Sequence, residues 1–164
     1  MTGPAAGLIE SLGLEPHPEG GYYRQTYRAA GAVDAPGFAG PRRFSTAIYF
    51  LLPRGSRSAL HRMRSDEVWH FHDGGPLEVL EIDEAGAPVS TLLGRDLAAG
   101  QVFQHVVPAG RWFGAAPAAG TEYSLVGCTV APGFDYADWE LARRGPLLER
   151  YPAARGLIER LTTP

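Results

Sequence analysis

Three scarcities in the sequence each narrow what the protein does. It has a single cysteine, Cys128, so an internal disulfide is excluded. That thiol lies in the apolar run YSLVGCTVAP with no activating motif nearby, and reads as a small buried hydrophobe rather than a nucleophile. No apolar run approaches the roughly 18 to 20 residues that span a bilayer, and the start, MTGPAAGLIESLGLEP, lacks the basic residues and long apolar centre of a secretion signal. A cytoplasmic protein with no membrane partner is expected. A basic block is missing too: the formal charge is −3 and the arginines are scattered through strands, turns and the last helix. No nucleic-acid partner is expected.

Turn-forming residues, by contrast, are abundant. The chain has 21 glycines and 14 prolines in 164 residues, and they fall between short apolar segments. GGYYRQTYRA, RFSTAIYFLL, SALHRM, EVWHFH, LEVLEID, VSTLLG, QVFQHVV, RWFGAAP and EYSLVGCTVAP are of strand length, rich in aromatic and β-branched residues, and bounded by Gly, Pro or Asp. So many strands predict a mainly β fold, a sandwich or a barrel, in one domain over residues 1–164.

Two segments read as helix. PAAGLIESLG places Leu8, Ile9 and Leu12 at helical spacing and stops at Gly13. PLLERYPAARGLIERL has three- and four-residue apolar steps, with Pro152 and Gly156 expected to break it. The stretch from Ala29 to Arg43, AAGAVDAPGFAGPRR, offers little surface to bury and is expected to be a mobile loop.

The densest chemistry lies in GSRSALHRMRSDEVWHFHDGG. Its spacing is Gly55, five residues, His61, one residue, Met63, three residues, Glu67, six residues, Gly74; further on come Pro108, one residue, Gly110, two residues, Phe113. This resembles the two motifs of the cupin superfamily, a glycine, an HxH pair, a glutamate and a second glycine, then a PxG turn and a third histidine. EPHPEGGYYRQTYR, HRMRSDEVWHFHDGGPLEVLEID and CTVAPGFDYADWEL further resemble the DUF985 (Cupin_5) family over almost the whole chain. The resemblance implies a cupin double-stranded β-helix, a jelly-roll barrel with short N- and C-terminal helices. It also implies a homodimer, joined through the N-terminal strand or the outer sheet face.

The departures from the cupin pattern bear most on function. Met63 stands at the second histidine of HxH and Phe113 at the third histidine, which leaves His61 and Glu67 of four ligands. A thioether suits copper better than Fe(II), Mn(II) or Zn(II), and a phenyl ring does not coordinate. No cofactor is therefore expected; a divalent metal is the alternative, on His61 and Glu67 with Gln104, His105 or water completing the shell. His70 and His72 do not replace the lost ligands, because side chains alternate along a strand and a strand that points Glu67 inward points these two outward. A bulge near Gly74 would shift that parity.

The inward set on this parity is His61, Met63, Glu67, Trp69, Phe71 and Phe113, with Trp112 flanking the mouth. The aromatics either wall a pocket or fill the barrel as core. A buried Glu67 requires a cation, a hydrogen-bond donor or a raised pKa, conditions that also make a general acid or base. Gln104 in FQHVVP and Tyr23, Arg24 and Tyr27 in GGYYRQTYR are candidate ligand contacts at the cavity edge, the last three being equally suited to a dimer-spanning strand. Asp135 and Asp138 are expected to cap a turn or the following helix.

Three functions follow. The first is a metal-independent isomerase, epimerase or lyase that binds a small organic ligand and moves a proton with His61 and Glu67. It is similar in this to the dTDP-sugar 3,5-epimerases, cupins that use a histidine base without metal. The second is a metal-dependent dioxygenase- or lyase-like enzyme, and the third a non-catalytic sensor or carrier of a small ligand.

Overall fold

The computed structural model describes residues 3–163. Helix α1 (Pro4–Leu12) starts on a proline, whose missing N–H costs nothing there, and ends at Gly13 in the left-handed conformation with φ 60°. Thirteen strands follow: β1 (Glu15–Pro16), β2 (Tyr22–Arg28), β3 (Ala32–Val33), β4 (Arg42–Arg43), β5 (Thr46–Pro53), β6 (Ser58–Met63), β7 (Asp66–Gly74), β8 (Leu77–Ile82), β9 (Pro88–Leu93), β10 (Gln104–Val107), β11 (Trp112–Pro117), β12 (Tyr123–Ala131) and β13 (Trp139–Leu141). Helices α2 (Arg144–Arg150) and α3 (Arg155–Leu161) close the described chain.

Eleven of the strands form two facing antiparallel sheets, one of six in the order β1-β2-β5-β12-β7-β10 and one of five in the order β13-β6-β11-β8-β9, and β3 and β4 pair as a separate ribbon. This is a jelly roll, but strand pairing does not run from one sheet into the other, so the expected barrel is open. Alternation sorts each strand between layers. The inner faces meet in a cluster built on Leu52, Trp69, Leu77, Val79, Leu93, Phe113 and Val126. The outer face of the smaller sheet, through Leu60, Leu80, Ile82 and Trp112, is covered by Leu147, Leu157, Ile158 and Leu161 of α2 and α3. Helix α1 and Leu14 cover Leu51 and Leu125 on the outer face of the larger sheet.

Two expectations are corrected. Pro152 separates α2 from α3, but Gly156 lies inside α3; burying Leu157, Ile158 and Leu161 outweighs the roughly 1 kcal/mol that a helical glycine costs. The 29–43 stretch is not a bare loop. It carries the β3–β4 ribbon, and Arg42 is buried in a two-pronged pair with Asp138, Nε to Oδ2 at 2.6 Å and Nη2 to Oδ1 at 3.0 Å. Asp138 is thus an ion-pair partner rather than a cap, whereas Asp135 does cap its turn, accepting from the Ala137 N–H at 2.9 Å. Among the described residues no helix is long and apolar enough to cross a membrane.

Candidate functional site

A cavity of about 330 Å³ opens between the sheets at one end of the sandwich. Strand β6 brings His61 and Met63 to it, β7 brings Glu67 and Trp69, β5 brings Thr46, Ile48 and Phe50, and β12 brings Cys128 and Val130. Tyr23 and Gln25 enter from β2, Phe134 and Tyr136 from the turn after β12. The turn between β1 and β2 adds His17 and Glu19, with Glu15 just ahead of it. That turn bends on Gly20 and Gly21, both at positive φ, and a Cβ on Gly20 would lie 2.2 Å from the Arg57 carbonyl oxygen. Only glycine lets the backbone approach closely enough to drop Glu19 into the sandwich.

Glu19 is held from three sides. Trp139 Nε1 donates to Oε1 at 2.6 Å, Ser58 Oγ donates to Oε2 at 2.9 Å, and His61 Nε2 lies 3.5 Å from Oε1. On the other side of the imidazole, His61 Nδ1 donates to the Ala59 carbonyl at 2.7 Å. A carbonyl oxygen only accepts, so the neutral ring keeps its proton on Nδ1 and its lone pair on Nε2. A proton taken up by Nε2 creates an imidazolium beside the Glu19 carboxylate, which stabilises it. His17 is set the opposite way: its Nδ1 accepts from the Glu19 backbone N–H at 3.1 Å, and burial lowers its pKa against the opposing pull of Glu19.

Glu67 lies deeper. It is 7% exposed, and its Oε2, like the Nε1 of Trp69, is buried without a hydrogen-bond partner. Burial, reinforced by the charge of Glu19 and opposed by the Trp69 indole and the Cys128 thiol, pushes its pKa up to about 8. At neutral pH it is an acid with a proton to give. The cavity therefore joins a histidine with a basic lone pair, a carboxylate beside that lone pair and a neutral carboxylic acid, the components of proton transfer.

Of the residues singled out in the sequence, His61, Glu67, Met63, Trp69 and Tyr23 line this cavity. Phe113 backs it, its ring 4.1 Å from that of His61 and edge-on to Trp69 at 6.3 Å. Five expected contacts lie elsewhere, one of them Tyr27, which is exposed near the end of β2. Phe71 faces inward but sits farther along β7, packed on the core beneath Arg95 at 5.6 Å. Arg24, next to the inward Tyr23, is exposed on the opposite face with its guanidinium over Tyr49. Trp112, next to the inward Phe113, faces α2 and α3 under Arg62. Gln104 is exposed on the outer face of β10 and holds His70 Nδ1 at 2.9 Å. His70 and His72 do point outward: His70 pairs with Thr129 Oγ1 at 3.0 Å and His72 meets the Tyr49 ring. The register of β7 against β12 shifts only after Phe71, too late to alter the parity at Glu67.

Comparison with known proteins agrees with this architecture. The pattern described as cupin superfamily (DUF985), Cupin_5, matches residues 6–142. The chain belongs to that cupin family. A hypothetical protein from Leishmania major superposes on this cupin with a TM-score of 0.91 at 38% identity, covering 99% of this chain and all of that one. Protein SO0799 from Shewanella oneidensis does so with a TM-score of 0.89 at 41% identity, covering 99% of each chain. The uncharacterized protein YML079W of Saccharomyces cerevisiae is 29% identical in an alignment of 143 residues, 80% of this chain and 71% of the yeast protein.

Cupins can hold a metal at the positions of His61, Met63, Glu67 and Phe113, and the donors of this cupin do not fit that role. Met63 offers a thioether and Phe113 packs an apolar ring against the imidazole. Gln104, the candidate to complete a shell, is on the other side of its sheet, and His105 is engaged with Glu81. Among the described residues no three His, Cys, Asp or Glu side chains are grouped to hold a metal ion.

Proposed function

We propose that this cupin is a metal-independent isomerase or epimerase acting by proton transfer on a small carbonyl compound. The observation that carries the reading is the pairing, in one cavity, of a buried and unpartnered Glu67 carboxyl with a His61 ring whose Nδ1 is fixed by the Ala59 carbonyl. His61 Nε2 takes a proton from the carbon next to the substrate carbonyl. The C–H electron pair becomes the C=C bond of an enol, and the carbonyl oxygen takes the proton of Glu67. For epimerisation the enol turns over in the cavity, His61 returns the proton to the other face of the same carbon and the enol O–H returns its proton to Glu67. For isomerisation of an α-hydroxy carbonyl, His61 gives the proton to the former carbonyl carbon, and the neighbouring hydroxyl, which becomes the new carbonyl, gives its proton to Glu67.

Glu19 acts through His61 by stabilising its cation and is a positioning residue. The aromatic walls of Tyr23, Phe50, Trp69, Phe134 and Tyr136 supply burial for a small ligand. The family resemblance adds a homodimer, which light scattering on the purified protein checks.

The test is exchange of substrate α-hydrogen with solvent deuterium, followed by proton NMR. His61→Ala is expected to keep ligand binding and lose exchange by at least about a hundredfold, the usual size of a lost general base. Glu19→Gln is expected to lower exchange while leaving binding within about twofold, since the amide keeps the shape but not the charge. Undiminished exchange in His61→Ala overturns the mechanism. Binding without exchange in the unaltered protein makes it a carrier. Stoichiometric metal retained through dialysis, in protein purified without a nickel column, favours the metalloenzyme instead.

A further inference from the structure

Every side chain around the cavity has a defined charge or none, and the set is one-sided. Three carboxyl groups, Glu15, Glu19 and Glu67, line it. None of the fifteen basic residues does so among the described residues; all fifteen are arginines, because the chain contains no lysine. Arg42 is spent on Asp138, and Arg24 lies over Tyr49 on the outer sheet face. Of the two histidines, His17 uses Nδ1 as an acceptor, and His61 spends its Nδ1 proton on the Ala59 carbonyl with Nε2 3.5 Å from Glu19, so neither offers a free cation to an anionic ligand.

The deep wall has the opposite need, for an oxygen. Trp69 Nε1 only donates, and although it lies close enough to Glu67 to favour its ionised form, neither it nor Glu67 Oε2 completes a hydrogen bond of good geometry. One uncharged carbonyl oxygen accepts from both. A phosphate or carboxylate brought to the same place would leave water for a cavity whose only fixed charges are negative, with no cation to repay its desolvation. The absence of lysine also removes Schiff-base activation of the carbonyl, so polarisation falls to these hydrogen bonds. At about 330 Å³ the cavity has room for a sugar-sized molecule.

We infer that the substrate is a small uncharged carbonyl compound, seated with its oxygen on Glu67 and Trp69, and that phosphorylated and carboxylate-bearing compounds are rejected. This rests on the proton-transfer reading of the same cavity.

Matched pairs test it on the full-length protein: glyceraldehyde and glyceraldehyde 3-phosphate, glucose and glucose 6-phosphate, methyl pyruvate and pyruvate. Binding is read by ligand-observed NMR and exchange of hydrogen α to the carbonyl by deuterium incorporation. The expected result is saturable binding of at least one uncharged member, at least tenfold tighter than its anionic partner, weakened in Trp69→Phe, which keeps an aromatic ring but removes the indole N–H. Binding of an anionic member as tight as its neutral partner overturns the inference, and if that anion also exchanges its α-hydrogen the proton-transfer reading survives alone. A neutral member that binds but does not exchange leaves the inference standing and removes the proton-transfer reading. No saturable binding by any uncharged member counts against both.

Discussion

Inside the sandwich, Glu67 is stable as an acid rather than as a carboxylate, and that state has a thermodynamic signature. In the unfolded chain it ionises near 4.5, in the folded protein near 8. Between those values the folded protein holds a proton that the unfolded chain has released, so stability falls as pH rises, by roughly 1.4 kcal/mol per pH unit, and levels off above the folded value. Glu67→Gln has the shape of the protonated acid and cannot ionise. Relative to the unaltered protein it is expected to gain roughly 4 kcal/mol of stability between pH 5 and pH 8. Urea unfolding at pH 5, 6.5 and 8 checks this; parallel pH profiles for the two proteins would place an ionised carboxylate in the cavity. That Glu67 and His61 share one cavity was legible in the sequence because both stand at cupin motif positions. Glu19 was not, although EPHPEGG is among the stretches that carry the family likeness. Its role depends on Trp139 and Ser58, which are 120 and 39 residues away, and no local pattern encodes a three-way meeting of that kind.

At the level of elements, strand alternation explains both the correct and the incorrect placements. The parity rule separates Glu67 and Trp69 from His70 and His72 within β7. Applied to neighbouring residues it also separates Tyr23 from Arg24 and Trp112 from Phe113, pairs that cannot both face one cavity. Gln104 pairs in register with the outward His70, a fact about the β7–β10 ladder that the sequence does not contain. The same ladder turns His105 inward, where it and Arg111 engage Glu81, a fully buried carboxylate on β8. Burial opposes ionisation of Glu81, yet the hydrogen bonds from His105 and Arg111 outweigh it and hold its pKa below the ordinary value. The cluster ties the edge of the larger sheet to the smaller one. Arg111→Ala leaves the buried charge with His105 alone and is expected to cost about 3 kcal/mol. That corresponds to a melting midpoint lower by roughly 6 to 12 °C for a domain of this size. A drop of 1 °C or less at neutral pH would mean that Glu81 draws little from Arg111.

The whole molecule is held by three apolar layers, one between the sheets and one on each outer face, and none of them is organised around the cavity's polar groups. The apolar layers are complete with Met63 and Phe113 in place, so the fold is expected to stand without a bound metal. A chelator is accordingly expected to leave the melting midpoint of the unaltered protein within about 1 °C. Met63→His with Phe113→His rebuilds a three-histidine, one-glutamate set around His61 and Glu67. The double variant begins less stable, because Phe113 packs in the inner core and an imidazole fills that space poorly. It should then gain stability with added manganese or zinc, about 2.7 kcal/mol at a concentration a hundredfold above Kd, or roughly 5 to 11 °C, and lose it again to chelator. Metal binding there requires Glu67 to give up its proton, so affinity should rise with pH up to about 8, where that carboxyl ionises. A chelator-sensitive midpoint in the unaltered protein, matching that of the double variant, would show that Met63 and Phe113 had not ended the metal site.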